Sequence, residues 1–177
     1  MDFDGTLTND RRRYAIYPEL INYPGDSAYD FIAEKDWNET DSSGFDSFVE
    51  KLELKNHLLD GFAEFFDPKN PHHIILTAGN KEFQEKKIIS AGFWEANRIL
   101  VEKAEVKPIT ILLAIIDLWY IPWEIKFYDD RIKNFNWADQ ILSDILDIPV
   151  TFYEAIQDSD KQTVKVEKRV SSILEGK

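Results

Sequence analysis

From residue 73 onward, short apolar runs alternate with amphipathic segments, and this alternation constrains the fold of the 177-residue chain more than any other property. His73-Ile74-Ile75-Leu76-Thr77 reads as a buried strand. Lys81–Ala91 is helical and stops at Gly92, a residue suited to the position just past a helix. Arg98-Ile99-Leu100-Val101-Glu102 reads as a strand, and Pro108–Tyr120 as a helix opened by proline in its first turn. Glu124-Ile125-Lys126-Phe127-Tyr128 is a strand that runs into two aspartates. Trp137, Ile141, Leu142 and Ile145 predict one face of a further helix. Pro149-Val150-Thr151-Phe152-Tyr153 predicts a strand, and Lys161–Leu174 a charged terminal helix. Strand and helix alternating four times predict an α/β fold, a Rossmann-like parallel sheet with helices on both faces.

The first third of the chain differs. Residues 8–44 are rich in Tyr, Pro, Asp, Asn and Ser and show little periodicity, so they read as a small cap or loop insertion. Phe45, Phe48, Val49 and Leu52, then Leu58, Leu59, Phe62, Phe65 and Phe66, recur at helical spacing and predict one or two helices ending at Asp67-Pro68. The whole, residues 1–177, is expected to be one domain. An apolar share of 44% is enough for a core. The net charge of -12 argues against long nucleic acid, which calls for a basic face. The absence of cysteine excludes thiolate metal sites and disulfides. The longest apolar stretch, around Ile109–Ile121, is interrupted by Asp117, so no membrane span is expected and a cytoplasmic location is the default.

In a parallel sheet of this kind, ligands bind beyond the carboxyl ends of the strands. Those places hold a coherent set: Asp2 and Asp4 followed by Gly5-Thr6, then Thr77 to Asn80, Lys107 ahead of Pro108, and Asp129-Asp130. Several carboxylates converging without His or Cys favour a hard cation with oxygen ligands, hence Mg²⁺. A carboxylate can attack phosphorus and divide a slow hydrolysis into two easier steps. A second carboxylate can protonate the leaving oxygen and then activate water. A lysine supplies a point charge for phosphate. A calcium loop is excluded by register, because placing Gly5 at loop position six puts Arg11 where a bidentate glutamate is required.

Asp2-Phe3-Asp4-Gly5-Thr6 resembles the first motif of the haloacid dehalogenase-like hydrolase superfamily. Ile75-Leu76-Thr77-Ala78-Gly79-Asn80 is similar to its second motif, Lys107-Pro108 to its third, and Phe127-Tyr128-Asp129-Asp130 to its fourth. The resemblance covers roughly residues 1–155. It implies that Asp2 is the nucleophile and a metal ligand. Asp4 would be the general acid/base and offer its backbone carbonyl to Mg²⁺. Thr77 with the Ala78 N–H would bind the phosphoryl group, Lys107 would stabilise it, and Asp129 with Asp130 would complete the metal site. Thr6, Gly79, Asn80 and Arg131 flank the site as candidate substrate contacts, with local capping or ion pairing as the alternative for Asn80 and Arg131. Lys103 competes with Lys107, and Asp129-Asp130 can also be read as a strand end or helix cap. Arg11-Arg12-Arg13 would attract an anionic substrate or form a solvated loop. Tyr14, Tyr17, Tyr23, Tyr29 and Trp37 would line a pocket or pack the insertion.

The superfamily places an apolar strand before the nucleophile, whereas only Met1 precedes Asp2 here. The first strand therefore reads as truncated, and the intact protein is expected to carry further upstream residues. The expected function is Mg²⁺-dependent hydrolysis of a small phosphomonoester through an aspartyl-phosphate. The alternatives are a nucleotide or nucleic-acid end phosphatase and an inactive phosphate-binding fragment. A dehalogenase would have no use for Asp4.

Overall fold

The computed structural model describes residues 1–9, 18, 20, 43–118, 121–135, 138–158 and 160–168; for 43–47, 117, 118, 133 and 134 it describes the backbone alone. Most of the 8–44 insertion lies outside the described residues, and with it Arg11, Arg12, Arg13, Tyr14, Tyr17, Tyr23, Tyr29 and Trp37.

The described elements are α1 (Ser43–Leu52), β1 (Ile74–Ala78), α2 (Lys81–Ser90), β2 (Asn97–Val101), α3 (Lys107–Leu118), β3 (Ile125–Asp129), α4 (Ala138–Leu146), β4 (Val150–Asp158) and β5 (Thr163–Lys168). β1 pairs in parallel with β2, and β3 in parallel with β4, while β5 closes the edge antiparallel to β4. Met1 and Asp2 lie between the two sheets and join them. The Met1 amino group donates to Ile74 O at 3.0 Å, and Leu76 N–H donates to Met1 O at 2.7 Å. Asp2 N–H donates to Tyr128 O at 2.8 Å. The strand order is therefore β2, β1, residues 1–2, β3, β4, β5.

Adjacent strand residues face opposite ways, which puts a core on each side of the sheet. Ile75 packs with Phe3, Leu7, Phe48, Leu52, Phe83 and Ile88, under α1 and α2. Its neighbour Leu76 packs with Phe127, Phe152, Ile111, Ala138 and Leu142, under α3 and α4. This is an α/β architecture with helices on both faces, compatible with a Rossmann-like fold. No helix among the described residues is long and apolar enough to cross a membrane.

Local chemistry explains the element ends. Asn80 caps α2, its side chain accepting from Phe83 N–H at 3.0 Å. Gly92, at φ +90°, ends the same helix. Gly92 N–H reaches Ile89 O at 2.9 Å and Phe93 N–H reaches Ile88 O at 3.1 Å, the paired bonds of a Schellman motif.

Three expectations require correction. The terminal helix expected over 161–174 is instead strand β5 where it is described. Val164 faces inward while Lys165 is exposed, an alternation of period two that pairs with β4. The second helix expected before Asp67 is two short 3₁₀ turns, Leu54–Asn56 and Phe62–Glu64. Leu58 to Asp60 between them is bridged to Thr8 on one side and Thr163 on the other, so backbone pairing overrides the helical spacing. On α4 the inward residues are Ala138, Asp139 and Leu142, whereas Ile141 and Ile145 face outward at 45% and 59% exposure.

Phe152 on β4 is fully buried, and Ile156 on the same strand is 44% exposed. Phe152→Ala is expected to lower the unfolding free energy by about 3–5 kcal/mol. Ile156→Ala should change it by about 0.5 kcal/mol or less. Urea titrations of both variants measure the difference, and similar losses would contradict the placement of β4.

Candidate active site

The parallel pairing of β1 and β3 about residues 1–2 brings three sequence-distant segments to one end of the sheet. Asp2 follows Met1 at the centre, Asp129 ends β3, and Asp130 comes next. One carboxylate oxygen from each of Asp2, Asp129 and Asp130 lies within 4.8 Å of the others. Asp2 and Asp129 are buried, Asp130 partly so. Gly5 makes this approach feasible. It sits at φ +73°, and a Cβ there would lie 2.7 Å from Asp130 Oδ2. Any side chain would drive Asp130 away.

Lys107 compensates the cluster. The 3₁₀ turn Ala104–Val106 leads straight into α3, whose first residue is Lys107. Its ammonium donates to Asp129 Oδ2 at 2.7 Å and sits 2.9 Å from Asp2 Oδ1. Among the described residues no hydrogen bond of good geometry reaches Asp2 Oδ1, which is buried, so the ion pair is its compensation. Lys107 is 3% exposed, whereas Lys103, its competitor in sequence, lies exposed ahead of the 3₁₀ turn. Asp129 Oδ1 in turn accepts the Arg131 N–H at 2.7 Å.

Burial pushes the Asp2 carboxyl up to about 6; Lys107 opposes that shift and Asp129 adds to it. Burial also disfavours the Lys107 ammonium, but Asp2 and Asp129 outweigh it and raise its pKa.

The other expected residues divide. Thr77, at 1% exposure, stands near the end of β1 on the same side of the fold as the cluster, with Ala78 after it. The Gly79 N–H is engaged with Val101 O at 2.8 Å, and Asn80 is engaged as the cap of α2. Both therefore serve the backbone of this loop. Thr6 is fully buried, and its hydroxyl finds no hydrogen-bond partner among the described residues. Arg131 is exposed, its Nε 3.8 Å from Asp130 Oδ2. Asp4 does not contribute its carboxylate to the cluster of three. That carboxylate is held by Lys87, whose ammonium donates to both oxygens, 2.6 Å to Oδ2, and by Gln84 Nε2 at 3.3 Å.

Lys87 and Gln84 are the residues that the sequence reading missed. They share the buried face of α2 with Phe83 and Ile88. The available signal was two long polar side chains at positions that helical spacing assigns to the core side.

The donor set suits a hard divalent cation: all-oxygen, acidic, converging, with a buried carboxylate oxygen that lacks a hydrogen bond among the described residues. A separate cavity of about 670 Å³ lies toward the opposite ends of the strands. It is lined by Met1, Ile74, Ile99, Ile111, Phe127 and Tyr128 among others, and holds none of these carboxylates.

The folded-state pKa of Asp2 exceeds its ordinary value of 3.8, so the fold favours the protonated carboxyl. That contribution is fully present below about pH 4 and is lost as pH rises through about 6. Without divalent cations, wild type should lose on the order of 3 kcal/mol relative to Asp2→Asn over that window. Urea unfolding across the pH range measures it, and parallel pH profiles would contradict the assignment. No protein-family model, curated protein or solved structure matches the chain.

Proposed function

We propose that the chain is a Mg²⁺-dependent phosphatase of the haloacid dehalogenase-like type, acting on a small phosphomonoester through an aspartyl-phosphate. The observation that carries this reading is the convergence of Asp2, Asp129 and Asp130, with the buried Lys107 ammonium paired to the first two. A surface cluster of acids would not bury two of its members beside a lysine, because burial of charge is costly unless it is paired.

Asp2 attacks phosphorus, and the bond from phosphorus to the ester oxygen breaks. The departing oxygen takes a proton from Asp4. Water then attacks the phosphoryl group on Asp2 and gives its proton to Asp4, which releases inorganic phosphate, frees the Asp2 carboxylate and returns Asp4 to its protonated form. Lys107 holds Asp2 in place and supplies fixed positive charge beside the phosphoryl oxygens. Thr77 and the Ala78 N–H would orient that group. Asp2, Asp129 and Asp130 would hold Mg²⁺, with the Asp4 backbone carbonyl as a further ligand; when bound, the ion offsets phosphoryl charge. The acidic balance of the chain favours a small phosphorylated metabolite or a nucleotide over a polymer.

The test is hydrolysis of an aryl phosphate by the full chain. Turnover is expected with Mg²⁺ and should disappear on chelation. Asp2→Asn should lower kcat on the order of 10³-fold or more. A wild-type protein that is folded and inactive in Mg²⁺ would sink the proposal and favour a phosphate-binding fragment without turnover.

A further inference from the structure

Lys87 is an unusual residue for the inner face of a helix. It is 6% exposed, and its ammonium stands 5.6 Å from the ring centre of Phe3 and 5.4 Å from that of Phe83. A buried ammonium needs a counter-charge, and among the described residues Asp4 is its only acceptor. Gln84, one turn earlier, binds Asp4 Oδ2 and anchors the same amide to Ala78 O at 3.0 Å. The amide lies so close to Gly79 that a Cβ there would come within 2.9 Å of Gln84 Nε2. Asp4 is thus tied through two side chains of α2 to the loop that follows β1, while remaining partly open to solvent, its side chain 25% exposed.

We propose that Lys87 and Gln84 are positioning residues that fix the direction of the Asp4 carboxylate for its work on the departing oxygen; this rests on the phosphatase reading above. Two donors from one helix, one bonded to both oxygens of the carboxylate and the other to Oδ2, leave it little rotational freedom. An unrestrained aspartate would sample several rotamers and meet the reacting oxygen only part of the time.

The experiment uses the full chain with Mg²⁺ and two esters that differ in the leaving oxygen. An aryl phosphate loses a stable phenolate, whereas an alkyl phosphate needs its oxygen protonated. The ratio kcat/KM reports transfer to Asp2 and omits the later attack of water. Lys87→Met keeps the apolar stem and removes the ammonium. It is expected to lower kcat/KM about 10²-fold for the alkyl ester and less than about threefold for the aryl ester. Asp4→Asn should show the same asymmetry, and the double variant should be no slower than Asp4→Asn alone. Gln84→Leu, which keeps α2 packed, should show a smaller asymmetry of the same sign and serves if Lys87→Met does not fold. Equal losses on both esters, or losses that multiply in the double variant, would overturn the positioning role and leave the phosphatase reading standing. No turnover of either ester by wild type would overturn that reading, and this role with it.

Discussion

The ammonium of Lys107, buried between Asp2 and Asp129, is the interaction on which the site depends. Three carboxylates at one end of a sheet repel one another, and desolvation strengthens that repulsion. A single fixed cation bonded to one buried carboxylate and paired with another makes their convergence tolerable. It also ties the start of α3 to the end of β3 and to the motif after Met1, three segments that share no local sequence. Removing the lysine alone would leave two buried anions uncompensated, a change worth about 3–5 kcal/mol.

The second constraint is backbone geometry. Met1 and Asp2 bond to β1 on one side and β3 on the other, so the two sheets are joined through the residues that open the acidic motif. The position of Asp2 is set by ladder bonds, not by a flexible loop. Gly5 and Gly79 then bring backbone close to Asp130 and Gln84, at approaches that a Cβ would prevent. Asp4, two residues on, belongs to a separate arrangement centred on α2. Asp2 and Asp4, the proposed nucleophile and acid/base, are thereby held by different lysines, Lys107 and Lys87, on different helices. This separation lets two nearby carboxylates occupy different surroundings.

Much of this was legible in the chain itself. The apolar runs at Ile74, Ile99, Ile125 and Val150 all form strands, the first three within one residue of the expected bounds, while β4 continues past the expected Tyr153 to Asp158. Proline near the start of α3 and glycine after α2 mark their ends as backbone sterics require. β5 was misread because Val164 and Val166 are spaced too briefly to separate a strand from a helix, and its identity comes from pairing with β4. Leu58 to Asp60 failed for the same reason. Lys87 and Gln84 escaped because a search for apolar periodicity discounts the polar residues it should have questioned.

The order of acidic, hydroxyl and basic residues along the chain determined which groups are available to the proposed chemistry, since side-chain type alone decides which groups are able to attack phosphorus, donate protons or bind a hard cation. Strand and helix alternation determined that these groups would gather at one end of a sheet. What tertiary structure decided was which groups meet. Lys107 prevails over Lys103 because the helix start aims it into the cluster. Asn80 caps α2, the Gly79 N–H bonds to Val101 at the end of β2, and Asp4 faces Lys87. Such choices depend on long-range pairing, burial and the cost of an uncompensated charge, which become defined only when distant segments pack together.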